Sequence, residues 1–226
     1  MKRALLLLLV SLSLAACSTA PKPSNAWWKG LSDTEPNPED ETLSCRGVRS
    51  GAELDRLSSC WTPDAPMLTS TDVRGLEDMS PILRECLLAG LPARLAEGED
   101  RPRCQQGLAE VIDRRLYQLG WLKARVTPAE STGGASSRTR LAVQLGQRYR
   151  IGQLFVATGP SQRVEPKKII KKAQKAIPKR RWCTQSALEE IHTRIYDGST
   201  FQQVQVALGE LNDTTAQASV IITIQE

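Results

Sequence analysis

Residues 149–158, YRIGQLFVAT, open a unit that closes at Glu226, and the order of elements within that unit decides the fold. The stretch reads as a strand with Leu154 and Val156 on one face. Glu165 and Pro166 then start a helix. Ile169, Ile170, Ala173, Ala176 and Ile177 recur at helical spacing, and Lys167, Lys168, Lys171, Lys172 and Lys175 fill the other positions up to the stop at Pro178. A second helix begins near Thr184 or Ser186, where Ser186-x-x-Glu189 has the form of a capping box. It carries Leu188, Ile191 and Ile195 on one face and ends around Gly198. Two strands follow, alternating at Val204, Val206 and Leu208 and at Ala218, Val220, Ile222 and Ile224, with Gly209 to Asp213 as the turn. The order is β-α-α-β-β.

The preceding part of the chain repeats it. Ile112, Leu116 and Tyr117 map onto Ile191, Ile195 and Tyr196, and Leu141, Val143 and Leu145 onto Val220, Ile222 and Ile224, all at an offset of 79 residues. Between them Trp121 and Val126 map onto Phe201 and Val206 at an offset of 80, so one residue is inserted. In this copy Met67 to Leu76 is a weak strand, and Ser80 and Pro81 start a helix with Ile82, Leu83, Cys86 and Leu87 inward, disrupted at Gly90 to Pro92. Glu97 to Arg103 is the interhelix loop, and Cys104 to Leu119 a helix that buries Leu108, Val111, Ile112 and Leu116, with Gly120 placed to cap it. Leu122 to Val126 and Arg140 to Leu145 form a hairpin around the Ser/Thr/Gly-rich loop Ser131 to Ser137, which is expected to be mobile.

The run Leu116-Tyr117-x-x-Gly120-Trp121-x-x-Ala124-x-Val126, followed by Val143-x-x-Gly146-x-Arg148-Tyr149-x-Ile151-Gly152-x-Leu154 and Gly159, resembles the junction between successive POTRA (polypeptide-transport-associated) domains. It is most similar to those of outer-membrane barrel-assembly and translocation proteins of the BamA and TamA kind, and covers roughly Met67 to Glu226. The resemblance implies an α+β fold of two tandem β-α-α-β-β domains, 67–148 and 149–226, each a three-stranded sheet covered by two helices. Members of that family usually continue into a transmembrane β-barrel. Here Glu226 follows directly on the last expected strand, so barrel formation is not carried over.

Residues 1–16 read as a lipoprotein signal peptide: Lys2 and Arg3 give a positive start, Ala4 to Leu14 an apolar stretch too short to span a bilayer, and Leu14-Ala15-Ala16-Cys17 resembles a lipobox. Signals of that family are cut before the cysteine, whose thiol and new amino group carry acyl chains of the palmitate type. Cys17 is then the lipidation site and the membrane anchor. Ser18 rather than Asp at the next position resembles an outer-membrane address, facing the periplasm. Residues 17–44, rich in Pro, Ser, Thr and acids, read as a flexible tether in which Trp27 and Trp28 either dock on a membrane or partner or pack on the domain behind. Residues 45–66 read as an irregular bridge with one helical turn near Ala52 to Leu57.

With Cys17 assigned to lipid, five of the six cysteines remain in a compartment that permits disulfides. Cys45 with Cys60 closes the bridge and Cys86 with Cys104 clamps the two helices, although four cysteines allow three pairings. Cys183 is left as a buried free thiol. No metal site is expected, since no C-x-x-C pair or nearby His accompanies these positions.

Removing Lys2 and Arg3 lowers the formal net charge from +5 to +3, so the mature chain is only mildly basic. The local exception is Lys167, Lys168, Lys171, Lys172, Lys175, Lys179, Arg180 and Arg181, either a solvated face or a patch for anionic lipid or an acidic partner. No nucleic acid, cofactor or small-molecule substrate is expected. Nor is an enzyme: G-x-S-x-G, H-E-x-x-H and phosphate-binding glycine loops are absent, the acids are scattered, and the single His192 sits on a helix at a core edge.

Binding fits better, because a sheet edge presents unpaired N–H and C=O groups to an extended peptide. By the resemblance that edge is Phe201, Gln203, Val204, Gln205, Val206 and Leu208, with Leu122 to Val126 as its counterpart. The expected partner is an outer-membrane β-barrel protein or its unfolded precursors, met by an accessory docking module for barrel assembly or transport. The alternative is an envelope scaffold that links the outer membrane to a periplasmic, cell-wall or division complex.

Overall fold

The structure, a computed structural model, describes residues 38–46, 48, 54–55, 57–61, 64–96, 100–129, 138–158, 165–177, 182–197 and 201–225, the side chains of 38–40 excepted. Cys17, Trp27, Trp28, the loop 131–137 and the basic residues Lys179, Arg180 and Arg181 lie outside the described residues. The elements in chain order are α1 (Pro38–Cys45), a 3-10 turn (Ser58–Cys60), β1 (Val73–Arg74), α2 (Pro81–Leu88), α3 (Arg101–Gln118), β2 (Arg125–Pro128), β3 (Leu141–Gln144), β4 (Arg150–Thr158), α4 (Pro166–Ala176), α5 (Gln185–Tyr196), β5 (Gln203–Asn212) and β6 (Gln217–Gln225). From β1 onward the order β-α-α-β-β runs twice.

Each run makes its own three-stranded sheet, ordered β1-β3-β2 and β4-β6-β5. In both, the last strand is central, parallel to the first and antiparallel to its hairpin partner. Parallel neighbours need a long crossover, and the two helices supply it. They also cover one face, which is why apolar residues alternate along the strands: Val220, Ile222 and Ile224 of β6 are buried, while Ile221 is exposed. Two clusters of buried residues result. The first gathers Leu83, Leu87, Leu108, Ile112, Leu116 and Leu141, and the second Ile151, Leu154, Ile169, Ala173, Ile191 and Ile195. Burying each such large side chain contributes about 1.5–3 kcal/mol.

Local signals place the helix ends. Ser80 caps α2 by accepting the Leu83 N–H at 3.4 Å, with Pro81 at the first turn. Thr184 caps α5 by accepting the Ala187 N–H at 3.2 Å, so the cap is the earlier of the two expected residues, and the anticipated Ser186 box gives way to it. α3 ends on Gly120 at φ +97°, whose N–H bonds the Tyr117 carbonyl at 3.0 Å while Trp121 N–H bonds the Leu116 carbonyl at 2.9 Å. This is the Schellman arrangement, and its left-handed residue favours glycine. Arg115, 3% exposed, donates through Nη1 to the carbonyls of Leu87 and Ala89, both at 2.8 Å, placing a cation where α2 ends.

Five expectations need correction. Residues 38–45 form helix α1 rather than tether: Glu41 and Ser44 are buried, and Ser80 Oγ donates to Glu41 Oε2 at 2.7 Å. The disulfides are Cys45–Cys86, with Cα atoms 5.9 Å apart, and Cys60–Cys104, at 5.5 Å. The expected Cys45–Cys60 and Cys86–Cys104 pairs are absent because α1 lies against α2 and the Ser58–Cys60 turn lies against α3. Ile82 is exposed rather than inward, and His192 is exposed on α5, stacked on Tyr196 at 5.9 Å between ring centroids, rather than lining a core edge. Last, the β5–β6 turn is Asp213 to Ala216, not Gly209 to Asp213, so β5 continues to Asn212.

The junction between the two sheets is a side-chain lock. Arg148 stacks between two indoles, 4.7 Å from the Trp121 centroid and 4.6 Å from that of Trp182, and its Nε donates to the Leu119 carbonyl at 2.9 Å. Arg150 also lies over the Trp182 ring, 5.1 Å from its centroid. Next to this stack Tyr149 is fully buried, and its hydroxyl donates to Asp213 Oδ1 at 2.5 Å, while Lys123 Nζ donates to Oδ2 at 2.5 Å. The Lys123 ammonium, and after it the Tyr149 hydroxyl, hold the Asp213 carboxyl below its usual range. A carboxylate depressed in the folded state adds stability above its unfolded pKa, and that stability is lost as pH falls through the folded value. The melting temperature should therefore fall more steeply below about pH 4 in the wild type than in Asp213→Asn. Parallel profiles for the two proteins would remove Asp213 from the pH response.

Candidate functional site

β5 is an edge strand of the second sheet. Its pairing with β6 runs from Gln203↔Gln225 to Leu208↔Val220, then shifts before Leu211↔Ala218. Val204 is buried, Val206 and Leu208 are half-buried and pack against the core, and Gln203, Gln205 and Ala207 are exposed on the opposite face. Phe201 precedes the strand and packs against the same core half-buried. The strand at the expected position is an edge of its sheet, starting two residues later and ending four residues later than Phe201 to Leu208, and broken by a bulge. In the first sheet the counterpart edge is β2 at Arg125–Pro128, not Leu122 to Val126; Trp121, Leu122 and Ala124 are buried before it begins.

The bulge has a twin. β4 also shifts register, between Ile151↔Ala218 and Leu154↔Val220, so both edges carry an extra residue opposite the single Ser219 of β6. Ser219 Oγ donates to the Glu210 carbonyl at 3.3 Å, and a Cβ on Gly209 would lie 2.4 Å from that Oγ. A Cβ there would force Ser219 Oγ to turn away and give up that hydrogen bond. Bulges increase local twist and bend the strand that carries them, so the straight part of the β5 edge is Gln203 to Leu208.

The sheet face turned away from the helices carries an apolar row, Phe155, Ile221 and Ala207, set side by side by the register pairs Phe155↔Ile221 and Ala207↔Ile221. Ile221 is 37% exposed. A shallow hollow next to the bulges is lined by Phe155, Glu210, Asn212 and Asp213. Nothing in its lining pairs a nucleophile with a base.

The described part of the basic patch lies on α4. Lys167, Lys168, Lys171 and Lys175 are exposed and Lys172 is half-buried. Cys183 is a buried free thiol pushed up to about 12 by desolvation, a state in which a thiol is unreactive. Among the described residues no group of three His, Cys, Asp or Glu side chains is placed to hold a metal ion, and no helix is long and apolar enough to cross a membrane.

The residue that sequence reasoning missed is Arg148, recognised as part of a motif but not as the centre of an indole stack. Trp182 is far from it in sequence, and no periodicity connects the two.

No family model matches this chain, and no curated protein does. Among solved structures it is similar to the third to fifth POTRA domains of BamA from Haemophilus influenzae, at 15% identity and a TM-score of 0.35, over 56% of this chain and 49% of that one. It is similar to BamA from Haemophilus ducreyi lacking POTRA domains 1 to 3, at 15% identity and a TM-score of 0.38, over 62% of this chain and 25% of that one. It is also similar to POTRA domains 1 to 3 of Omp85 from Anabaena, at 14% identity and a TM-score of 0.36, over 85% and 91%. The chain thus spans about half of the first of these and a quarter of the second.

Proposed function

We propose that this chain is a non-catalytic docking module for outer-membrane β-barrel assembly or transport, held at the periplasmic side of the outer membrane by acyl chains on Cys17. The observation that carries the reading is the edge of β5, which among the described residues has no strand on its outer side and runs straight from Gln203 to Leu208, next to Ile221 of β6 on the open face. Main-chain hydrogen bonding at such an edge is largely independent of guest sequence. That suits a module meeting many unfolded barrel strands. The resemblance of the 116–126 and 143–159 stretches to POTRA junctions, and the doubled β-α-α-β-β order, support the same reading. Cys17 is assigned by the lipobox pattern alone.

The test is photocrosslinking in living cells from Gln203, Gln205 and Ala207, whose side chains leave the core untouched. Adducts dominated by a transmembrane barrel protein or its precursors are expected. Adducts dominated by cell-wall or division proteins would replace this reading with the envelope scaffold, and a complete absence of adducts would rule out β5 as the working surface.

A further inference from the structure

We propose that the lysine face of α4 is a docking surface for a bilayer carrying anionic headgroups. At roughly 100° per residue, Lys167, Lys171, Lys175, Lys168 and Lys172 fall within an arc of about 140°. The opposite arc holds Ile169, Ala173 and Ala176, each 5% exposed or less, packed into the second core. α4 contains no acid, and Glu165, just before it, pairs with Lys168 at 3.2 Å. Among the described residues Lys167, Lys171, Lys172 and Lys175 have no ion pair.

Such a face is a cost to the helix. Lys167 and Lys171, Lys168 and Lys172, and Lys171 and Lys175 are like charges one turn apart, which destabilises a helix in water. The apolar arc alone already makes α4 helical and buried, so folding does not call for five cations. A dense anionic surface turns the repulsion into attraction.

The side-chain chemistry selects the kind of surface. All five cations are lysines, compact point charges without the planar fork by which arginine matches a partner's carboxylate. α4 has no Arg, Trp, Tyr or Phe. Those are the residues that anchor protein interfaces, whereas Lys is depleted there. A fluid array of lipid phosphates conforms to lysines spread over about 12 Å of helix, and attracts each one within a screening length. The inference is independent of β5 and of the Cys17 anchor.

The test is flotation of the full chain with vesicles of phosphatidylcholine alone and with about one-quarter phosphatidylglycerol, reading only the difference between the two. At low salt the anionic vesicles should bind on the order of tenfold more tightly, and the difference should vanish near 0.5 M salt. Lys167→Glu/Lys171→Glu/Lys175→Glu should abolish the difference with an unchanged melting temperature. The same triple change to arginine should retain it. Reversal of Arg94, Arg103 and Arg140, exposed on the first unit, gives the same net charge and should leave the difference intact. Equal binding to both vesicles, survival of the difference in the lysine reversal, or its equal loss in the arginine reversal would overturn the proposal. So would displacement by an acidic polypeptide without any response to phosphatidylglycerol, which would make the face a protein site.

Discussion

Cys60→Ala/Cys104→Ala should melt roughly 10 °C below the wild type. The bridge spans 44 residues, and closing a loop of that length removes chain entropy from the unfolded state worth about 4 kcal/mol. Alanine is the informative replacement: both cysteines lie in the first core at 6% and 5% exposure, where serine would add a buried hydroxyl without a partner. Cys45→Ala/Cys86→Ala should behave differently. An eight-residue helix does not stand alone in water, so α1 should lose its hydrogen-exchange protection while both cores keep theirs. Peptide mapping without reduction should recover Cys45 joined to Cys86 and Cys60 to Cys104. Recovery of Cys45 with Cys60 would refute the arrangement of α1 and the 3-10 turn described above.

Arg148→Ala should cost about 2–3 kcal/mol and loosen one sheet from the other. The side chain is half-buried between Trp121 and Trp182, where a cation over an indole contributes about 0.5–2 kcal/mol. Its hydrogen bond to the Leu119 carbonyl, at the end of α3, adds about 1.5 kcal/mol. A second bond, Nη2 to Ser44 Oγ at 3.3 Å, brings α1 into the same lock. Arg148→Lys should recover little, because an ammonium cannot fill a planar slot between two rings. The checks are thermal melting and small-angle scattering, with a broadened distance distribution expected for Arg148→Ala. A variant within about 0.5 kcal/mol of wild type and with an unchanged scattering curve would show that the stack is incidental.

The repeated element order was legible because each helix and strand carries its own local period. Ile191 and Ile195, or Val220, Ile222 and Ile224, announce a buried face without reference to anything distant. What was not legible depends on contacts between distant residues. α1 has no apolar stripe, and its sequence PEDETLSC reads as tether; what orders it is Cys86, Ser80 and α5, none of which lies near it in the chain. Pro38 followed by Glu39 and Asp40 was the available signal, a proline and acids at a helix start. Gly209 reads as a turn residue from sequence because glycine in a strand pattern signals either a turn or a bulge, and only the position of Ser219 decides between them. The edge character of β5 followed from resemblance and is present in the strand order; the bulge that limits it was not foreseen.

On the proposed docking role, that limit would set how long a guest stays. Between Gln203 and the bulge only every second residue turns its N–H and C=O outward, which leaves about six main-chain bonds at about 1 kcal/mol net each. Ordering a guest of the same length costs about 1–2 kcal/mol per residue, so the backbone bonds do no better than cancel it. Whatever affinity remains comes from guest side chains beside those of β5 itself, Ala207 on the open face and the half-buried Val206 and Leu208 on the other, a small area. Complexes of that depth come apart in about milliseconds rather than hours. On the proposed docking role, the extra residue opposite Ser219 would work as a timer: a longer, straighter edge would trap its guest, whereas this one would hand it on.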